Sequence, residues 1–137
     1  MTQILNKKDG QKLNEIFDNH LNIYSEENEE VMTKFIKYLK RNSINCIITN
    51  KDKITFTYGK KVEDYKDMPL DGQLKEYANA NYFQSGRLSC LKIAHNKYIN
   101  GVYYFDTLGI EEPNGCILFF YPKSKSKEAL DLVLLIK

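Results

Sequence analysis

Cys90, His95 and Asp106 are the residue types from which a nucleophilic catalytic site is built. A thiolate, an imidazole and an orienting carboxylate form such a site when the fold brings them within hydrogen-bonding distance. His95 falls in a predicted turn, and the other two fall in the strands on either side of it. None of the local signatures of catalytic cysteines surrounds Cys90, which favours a core thiol and a solvated histidine. A small hydrolase or transferase using Cys90 and His95 is therefore kept as an alternative.

Metal and nucleotide sites have weak support in the sequence. Zinc ligands usually occur as Cys or His pairs two to five residues apart, and Cys90 with His95 approaches that spacing without a second pair. No two of the seven glycines are closer than six positions, which argues against a glycine loop that binds phosphate. We therefore predict that the protein uses neither a metal ion nor a cofactor.

Glu111 and Glu112 form an acidic cluster for which the sequence offers no structural explanation. Residues 26–30 hold a denser cluster, but it falls in the first turns of a predicted helix, where acidic residues favour the helix dipole. The pair at 111–112 lies in a predicted hairpin loop, and solubilisation of the hairpin tip is the simpler interpretation. The neighbouring tyrosines are of a type enriched in interfaces. The predicted partner-binding surface consists of Tyr103, Tyr104, Glu111, Glu112 and Asn114.

Length and charge indicate one packed domain with no dominant basic surface. The 137 residues suffice for a single hydrophobic core, and 42% of them are hydrophobic, with ten Tyr and seven Phe. The 20 basic residues are interleaved with 18 acidic ones, and two of them are Arg. A nucleic-acid-binding protein more often concentrates its basic residues on one face. Nucleic-acid binding through Lys123, Lys125 and Lys127 with tyrosines of the sheet is the second alternative.

The three cysteines predict a reducing compartment. Cys46, Cys90 and Cys116 are odd in number, widely spaced and set in apolar strand-like segments, a pattern typical of free buried thiols. The N-terminal segment lacks the apolar stretch of a signal peptide, and no apolar run approaches the roughly 20 residues of a membrane helix. We therefore expect a cytoplasmic protein.

Helical spacing of apolar residues predicts three helices. The first spans residues 10–23, with one apolar face formed by Leu13, Ile16, Phe17, Leu21 and Tyr24. The second follows Ser25 as its N-cap and has acidic residues at its start and basic residues at its end. These two helices are predicted to form a hairpin. A third, weaker helix is predicted over residues 72–83, with an interruption at Asn79-Ala80-Asn81.

Alternating apolar residues and turn signals predict strands at 44–49, 54–58, 87–94, 98–106 and 116–121. A turn at Pro113-Asn114-Gly115 closes the last of three predicted hairpins. Residues 59–71 are polar and predict a loop with at most one helical turn. Residues 126–136 are compatible with a helix or a strand. The sequence thus predicts one α+β domain, 1–137, in which the helical hairpin packs on one face of an antiparallel sheet of five to six strands joined in succession.

The weakness of the catalytic signals in a compact, Tyr-rich domain favours binding over catalysis. We expect a small protein-binding module that neutralises or regulates a macromolecular partner, as an immunity or inhibitor protein does. Its partner would be a toxin or an enzyme. The motivation is a rigid antiparallel sheet that carries exposed tyrosines and an acidic loop. The sequence leaves the oligomeric state open.

Overall fold

The protein has an α+β fold with four helices and five strands in the part of the chain that the structure, a computed structural model, describes. This part comprises residues 5–79, 83, 85–94 and 97–136, with the backbone alone for residues 87–103. The helices and strands are α1 (Lys7–Asp18), α2 (Glu26–Arg41), β1 (Asn45–Thr49), β2 (Ile54–Tyr58), α3 (Gly72–Ala78), β3 (Ser85–Ala94), β4 (Lys97–Thr107), β5 (Cys116–Tyr121) and α4 (Ser126–Ile136). Short 3₁₀ turns lie at Glu63–Tyr65 and Lys123–Lys125.

The five strands form one antiparallel sheet in the order β2-β1-β5-β4-β3. The three predicted hairpins, β1–β2, β3–β4 and β4–β5, are confirmed. The prediction that the strands follow one another across the sheet is wrong, because β5 lies between β1 and β4 and the chain crosses from one edge to the other after β2. All six residues of β5 are buried, as expected of a central strand covered on both faces.

Both faces of the sheet are covered, although helices were predicted on one face. On the first face α1, α2 and α4 form the larger core, where Phe35 contacts Phe17 and Phe119 at ring-centroid distances of 5.3 and 6.5 Å. On the second face the 59–71 segment and α3 form a smaller core, where Tyr77 stacks on Phe105 at 4.3 Å. The alternating residues of β5 supply both cores, since consecutive residues of a strand point to opposite faces.

A bulge in the β1–β2 hairpin lets its edge strand serve both cores. Thr49 pairs with Ile54 and Ile48 pairs with Phe56, so Thr55 is an extra residue in β2. Ile54 belongs to the smaller core and Phe56 to the larger one, although they are two positions apart. A bulge of this kind twists an edge strand and ends its regular pairing.

The first helix is shorter at its end than its apolar pattern predicts. It begins at Lys7, where Asn6 and Asp9 form a reciprocal capping box. It ends at Asp18 in a Schellman motif, with His20 at φ 49° and the Leu21 amide donating to the Ile16 carbonyl at 2.9 Å. Because glycine usually occupies the left-handed position of this motif, its sequence signal is missing here.

The other helices settle two open predictions. The third helix ends at Ala78, which is where the Asn79 interruption predicts a break, and residues 80–82 lie outside the described part of the chain. The C-terminal segment is a helix, so the strand alternative for residues 126–136 is excluded.

Ser25 is the N-cap of α2, without a side-chain hydrogen bond to the helix. Over the described residues, each helix is too short or too polar to traverse a lipid bilayer.

Two buried thiols make the stability of the protein sensitive to alkaline pH. Cys46 and Cys116 are free and buried, and burial raises the pKa of the Cys46 thiol well above its ordinary value. Burial also raises the pKa of Cys116 to about 12, against a small opposing effect of the hydrogen bond to Thr49 and a further increase from the Asp106 carboxylate. The side chain of Cys90 lies outside the described residues.

We expect the free energy of unfolding to fall above the ordinary thiol pKa of 9.0. A folded state with raised thiol pKa values binds these protons more tightly than the unfolded chain, so each buried thiol lowers stability by about 1.4 kcal/mol per pH unit until its folded pKa is reached. Urea unfolding between pH 8 and 11 measures this slope. Cys116→Ala should give a shallower slope than the wild type, and equal slopes would contradict the assignment.

Candidate functional site

The β4–β5 connection spans residues 108–115, in agreement with the loop between the predicted strands 98–106 and 116–121. The Leu108 amide donates to the Gly115 carbonyl at 2.9 Å, and the Asn114 amide donates to the Leu108 carbonyl at 2.8 Å. The bends fall at Gly109 and Gly115, whose φ angles of 127° and 138° disfavour other residues. Gly115 belongs to the predicted Pro113-Asn114-Gly115 turn, whereas the bend at Gly109 was not predicted.

Two residues near the end of α1, Asp18 and His20, anchor the base of this loop. The Gly109 amide donates to Asp18 Oδ1 at 3.1 Å, and Asn114 Nδ2 donates to the Asp18 carbonyl at 3.3 Å. His20 Nε2 lies 2.7 Å from the Asn114 carbonyl oxygen and 3.2 Å from its side-chain oxygen. Because a carbonyl can only accept, Nε2 carries the proton and donates. The left-handed backbone of His20 thus turns its ring toward the loop.

We expect His20→Ala to loosen the loop without unfolding the protein. Loss of the hydrogen bond to Asn114 should lower the free energy of unfolding by about 1 kcal/mol and speed hydrogen exchange of the amides at 108–115. His20→Asn is the matched control, because asparagine tolerates the left-handed conformation and keeps an amide donor. If loop exchange in His20→Ala equals that of the wild type, the anchoring role of His20 is refuted.

The tip of the loop is exposed to solvent. Ile110 is 67% exposed, and Glu111 and Glu112 are exposed beside it. The tip therefore consists of one large apolar side chain and two carboxylates on a loop whose base is held at several points.

Three pockets lie at the β4–β5 loop and at the end of α1 that anchors it, and we call their combined lining the loop face. The tip pocket is lined by Asp18, Asn19, Ile110, Glu111, Glu112 and Asn114. The Phe83 pocket shares Asp18 with it and includes Asp106. The Phe56 pocket lies between residues 19–25 and the β1–β2 hairpin and includes His20. The hydrogen bond between His20 and Asn114 joins this last pocket to the tip pocket.

Exposed apolar side chains concentrate on the loop face. Among the residues whose side chains are described, five large apolar ones are exposed, and four of them line these pockets: Leu21, Tyr24, Phe83 and Ile110. The fifth, Leu134, lies on α4. Single exposed apolar residues are ordinary, but a cluster with polar surroundings marks an interaction surface.

The loop face is also acidic, in a chain of net charge +2. The walls of its three pockets contain the carboxylates of Asp18, Asp106, Glu111 and Glu112, and no lysine or arginine among the described residues. Lys66 lies at the outer edge of the loop face, where its Nζ is 5.5 Å from the ring centroid of Tyr24. The charged residues in the walls of these pockets are therefore acidic, opposite in sign to the net charge of the chain.

The structure brings Glu111, Glu112 and Asn114 of the predicted surface together in the tip pocket. Glu111 and Glu112 lie on the tip, whereas Asn114 serves to anchor the loop through His20 and Asp18. Tyr104 is half-buried against the larger core and lines none of the three pockets. The side chain of Tyr103 falls outside the described residues, as do those of Cys90 and His95.

The residues of the two alternative functions are only partly described. Asp106 lines the Phe83 pocket. The side chains of Cys90 and His95, the other two members of the hypothetical catalytic site, lie outside the described residues. Lys123 and Lys127 are exposed, and Lys127 pairs with Asp131 at 3.2 Å, which reduces the local positive charge. Within the described ranges, no three His, Cys, Asp or Glu residues cluster as metal ligands.

Sequence reasoning missed His20, Leu21, Tyr24 and Phe83 as members of the site. His20 and Asn114 are 94 positions apart, so no local pattern connects them.

A search against models of protein families finds no match for the chain, and no curated protein is significantly similar to it.

Proposed function

We propose that this protein is a binding module that neutralises or regulates a partner protein through the loop face, as an immunity or inhibitor protein of the cytoplasm does. The observation that carries the proposal is the concentration of four exposed apolar side chains and four carboxylates around one anchored loop. Interfaces combine apolar anchors with a polar surround in this way.

The anchoring of the loop supports a role in binding. A loop that is ordered before it meets its partner loses less conformational entropy on association, and this raises affinity. The hydrogen bonds of Asp18, His20 and Asn114 hold the base, while Ile110 and the two glutamates make the tip available to a partner. The arrangement is that of a preorganised recognition loop.

The charge of the loop face indicates the partner's chemistry. The exposed carboxylates of Glu111 and Glu112 at the tip attract a basic surface and repel an acidic one. We therefore expect a partner whose contact surface is rich in Lys or Arg and offers room for an apolar side chain at its centre. Association should be faster at low ionic strength.

Charge reversal on the tip tests the proposal. The tagged protein is expressed in its native host, its partner is isolated, and the dissociation constant is measured by calorimetry at 50 and 300 mM salt. Glu111→Lys with Glu112→Lys should weaken binding at least about tenfold, because like charges then oppose each other across the interface. Glu29→Lys with Glu76→Lys, two exposed residues outside the loop face, makes the same change in net charge and should alter binding less than about twofold.

Two variants that each remove an exposed apolar side chain separate the contribution of apolar contact to binding from that of charge. Ile110→Ser should weaken the complex about tenfold or more, since a buried aliphatic anchor contributes about 1.5–3 kcal/mol. Leu134→Ser, which removes the exposed apolar side chain of α4, should leave the affinity unchanged. Equal effects of the tip and control variants, or the recovery of no partner above background, would count against the proposed function.

A further inference from the structure

The Phe56 pocket is an apolar depression beside the tip. Its floor is made by Ile16, Phe17, Ile48 and Phe56, its volume is about 270 Å³, and Leu21 and Tyr24 stand exposed at its rim. We propose that this pocket receives one aliphatic side chain of the partner, of leucine size, from a segment in which that residue is flanked by Lys or Arg. The proposal rests on the proposed function and specifies what the loop face recognises.

The size of the pocket favours a single side chain. Pockets that enclose drug-sized ligands and cofactors hold about 300–1,000 Å³, and this one is smaller and open to solvent on one side. An aliphatic side chain of a partner can enter it while the partner's backbone stays outside. The exposed rim residues would then be covered by the same segment.

Three polar side-chain atoms at the rim are engaged in holding its walls. Thr55 Oγ1 donates to the Ile48 carbonyl at 3.1 Å, and Asn50 Oδ1 accepts from the Asp52 and Lys53 amides at 2.8 Å each. Asn22 Oδ1 accepts from the Tyr24 amide at 2.9 Å. Within the described residues no Asp, Glu, Lys or Arg lines the pocket, and Lys66 lies outside it, 5.5 Å from the ring centroid of Tyr24. A charged group placed inside would lose its hydration without compensation, so the occupant is uncharged.

The position of the pocket explains the expected basic neighbours. Across the His20–Asn114 hydrogen bond lies the tip pocket, with Glu111, Glu112 and Asp18 in its walls. A segment that places an aliphatic residue in the Phe56 pocket brings its adjacent residues over these carboxylates. Basic residues at those positions gain favourable electrostatic contact, and acidic ones are repelled.

Three short peptides test the proposal on the isolated protein. The probes are acetyl-Ser-Lys-Leu-Lys-Ser-amide, the same peptide with Gly for Leu, and the same peptide with Glu for both Lys. Titration followed by amide chemical shifts should show the Leu peptide perturbing residues 16–24 and 48–56. The Gly and Glu peptides should each bind about tenfold more weakly or not at all.

A pocket-filling variant provides the matched control. Thr55→Trp should occupy the pocket and abolish the shifts caused by the Leu peptide, because tryptophan is well tolerated in strands and Thr55 lies at the rim. Thr57→Trp introduces the same residue two positions along β2, outside the pocket, and should leave binding intact. A thermal scan confirms that both variants fold.

Two outcomes overturn the inference. One is a response to the Leu peptide that is equalled by the Gly or the Glu peptide, and the other is a set of shifts that maps away from the pocket or survives Thr55→Trp. The proposed function fails separately, when Glu111→Lys with Glu112→Lys leaves partner affinity unchanged. If the loop face binds its partner but none of the three peptides binds in the Phe56 pocket, the inference about the pocket is refuted and the proposed function is not.

Discussion

Replacing Phe35 by alanine is expected to lower the free energy of unfolding by about 3–5 kcal/mol. Phe35 is fully buried on α2, and its ring contacts Phe17 of α1 and Phe119 of the central strand β5. Its removal leaves a cavity where two helices meet the sheet, and the aromatic pair contacts are lost with it. A domain of this size has a total stability of about 5–15 kcal/mol, so the variant would be close to unfolding.

Urea unfolding monitored by circular dichroism measures this loss. Lys37→Ala, an exposed substitution on the same helix, should change stability by less than about 0.5 kcal/mol. A decrease of under about 1 kcal/mol for Phe35→Ala would contradict the view that this ring joins α1, α2 and the sheet in one core.

Gly115→Ala is expected to cost about 2–5 kcal/mol and to displace the β4–β5 loop. A Cβ atom at Gly115 would overlap the carbonyl oxygen of Thr49, a backbone atom of a central strand that cannot easily move. The φ angle of 138° is also strained for alanine. Steric overlap and backbone strain therefore act together at the residue that closes the loop.

Gly86→Ala is the matched control for this substitution. A Cβ atom at Gly86 would meet Phe105 Cε1 at 3.4 Å, and its backbone is not left-handed, so a change of less than about 1 kcal/mol is expected. Gly115→Ala should also speed hydrogen exchange at 108–114 and weaken partner binding, whereas the control should do neither. A fully stable Gly115→Ala variant with an unchanged loop would show that this close approach does not fix the loop.

The sequence predicted the hairpins because their signals are local. Alternating residues and turn residues identify β1–β2 and β3–β4 correctly to within a few positions. The central place of β5 depends on pairing with β1, about 70 residues earlier in the chain, and the strand's own pattern only shows that it is apolar. However, the residues of β5 that point to each of its two faces are apolar, and this pattern did indicate that both faces are covered.

The sequence predicted Glu111, Glu112 and Asn114 of the candidate site. Glu111 and Glu112 stood out because no helix explains them. Leu21 and Tyr24 continue the apolar spacing of α1 and were therefore assigned to its buried face. The helix ends before them in a motif without glycine, so both residues emerge at the surface. The end of the helix depends on the left-handed conformation of His20, which the neighbouring sequence does not indicate.

The claim that partner binding occurs on the loop face is tested most directly by hydrogen exchange on the purified complex. The predicted result is slowed exchange at residues 18–24, 50–56 and 106–114, with α4 and the exposed side of α2 unchanged relative to the free protein. Protection confined to α2, α4 or the 59–71 segment, with the loop face exchanging as it does in the free protein, would contradict the account.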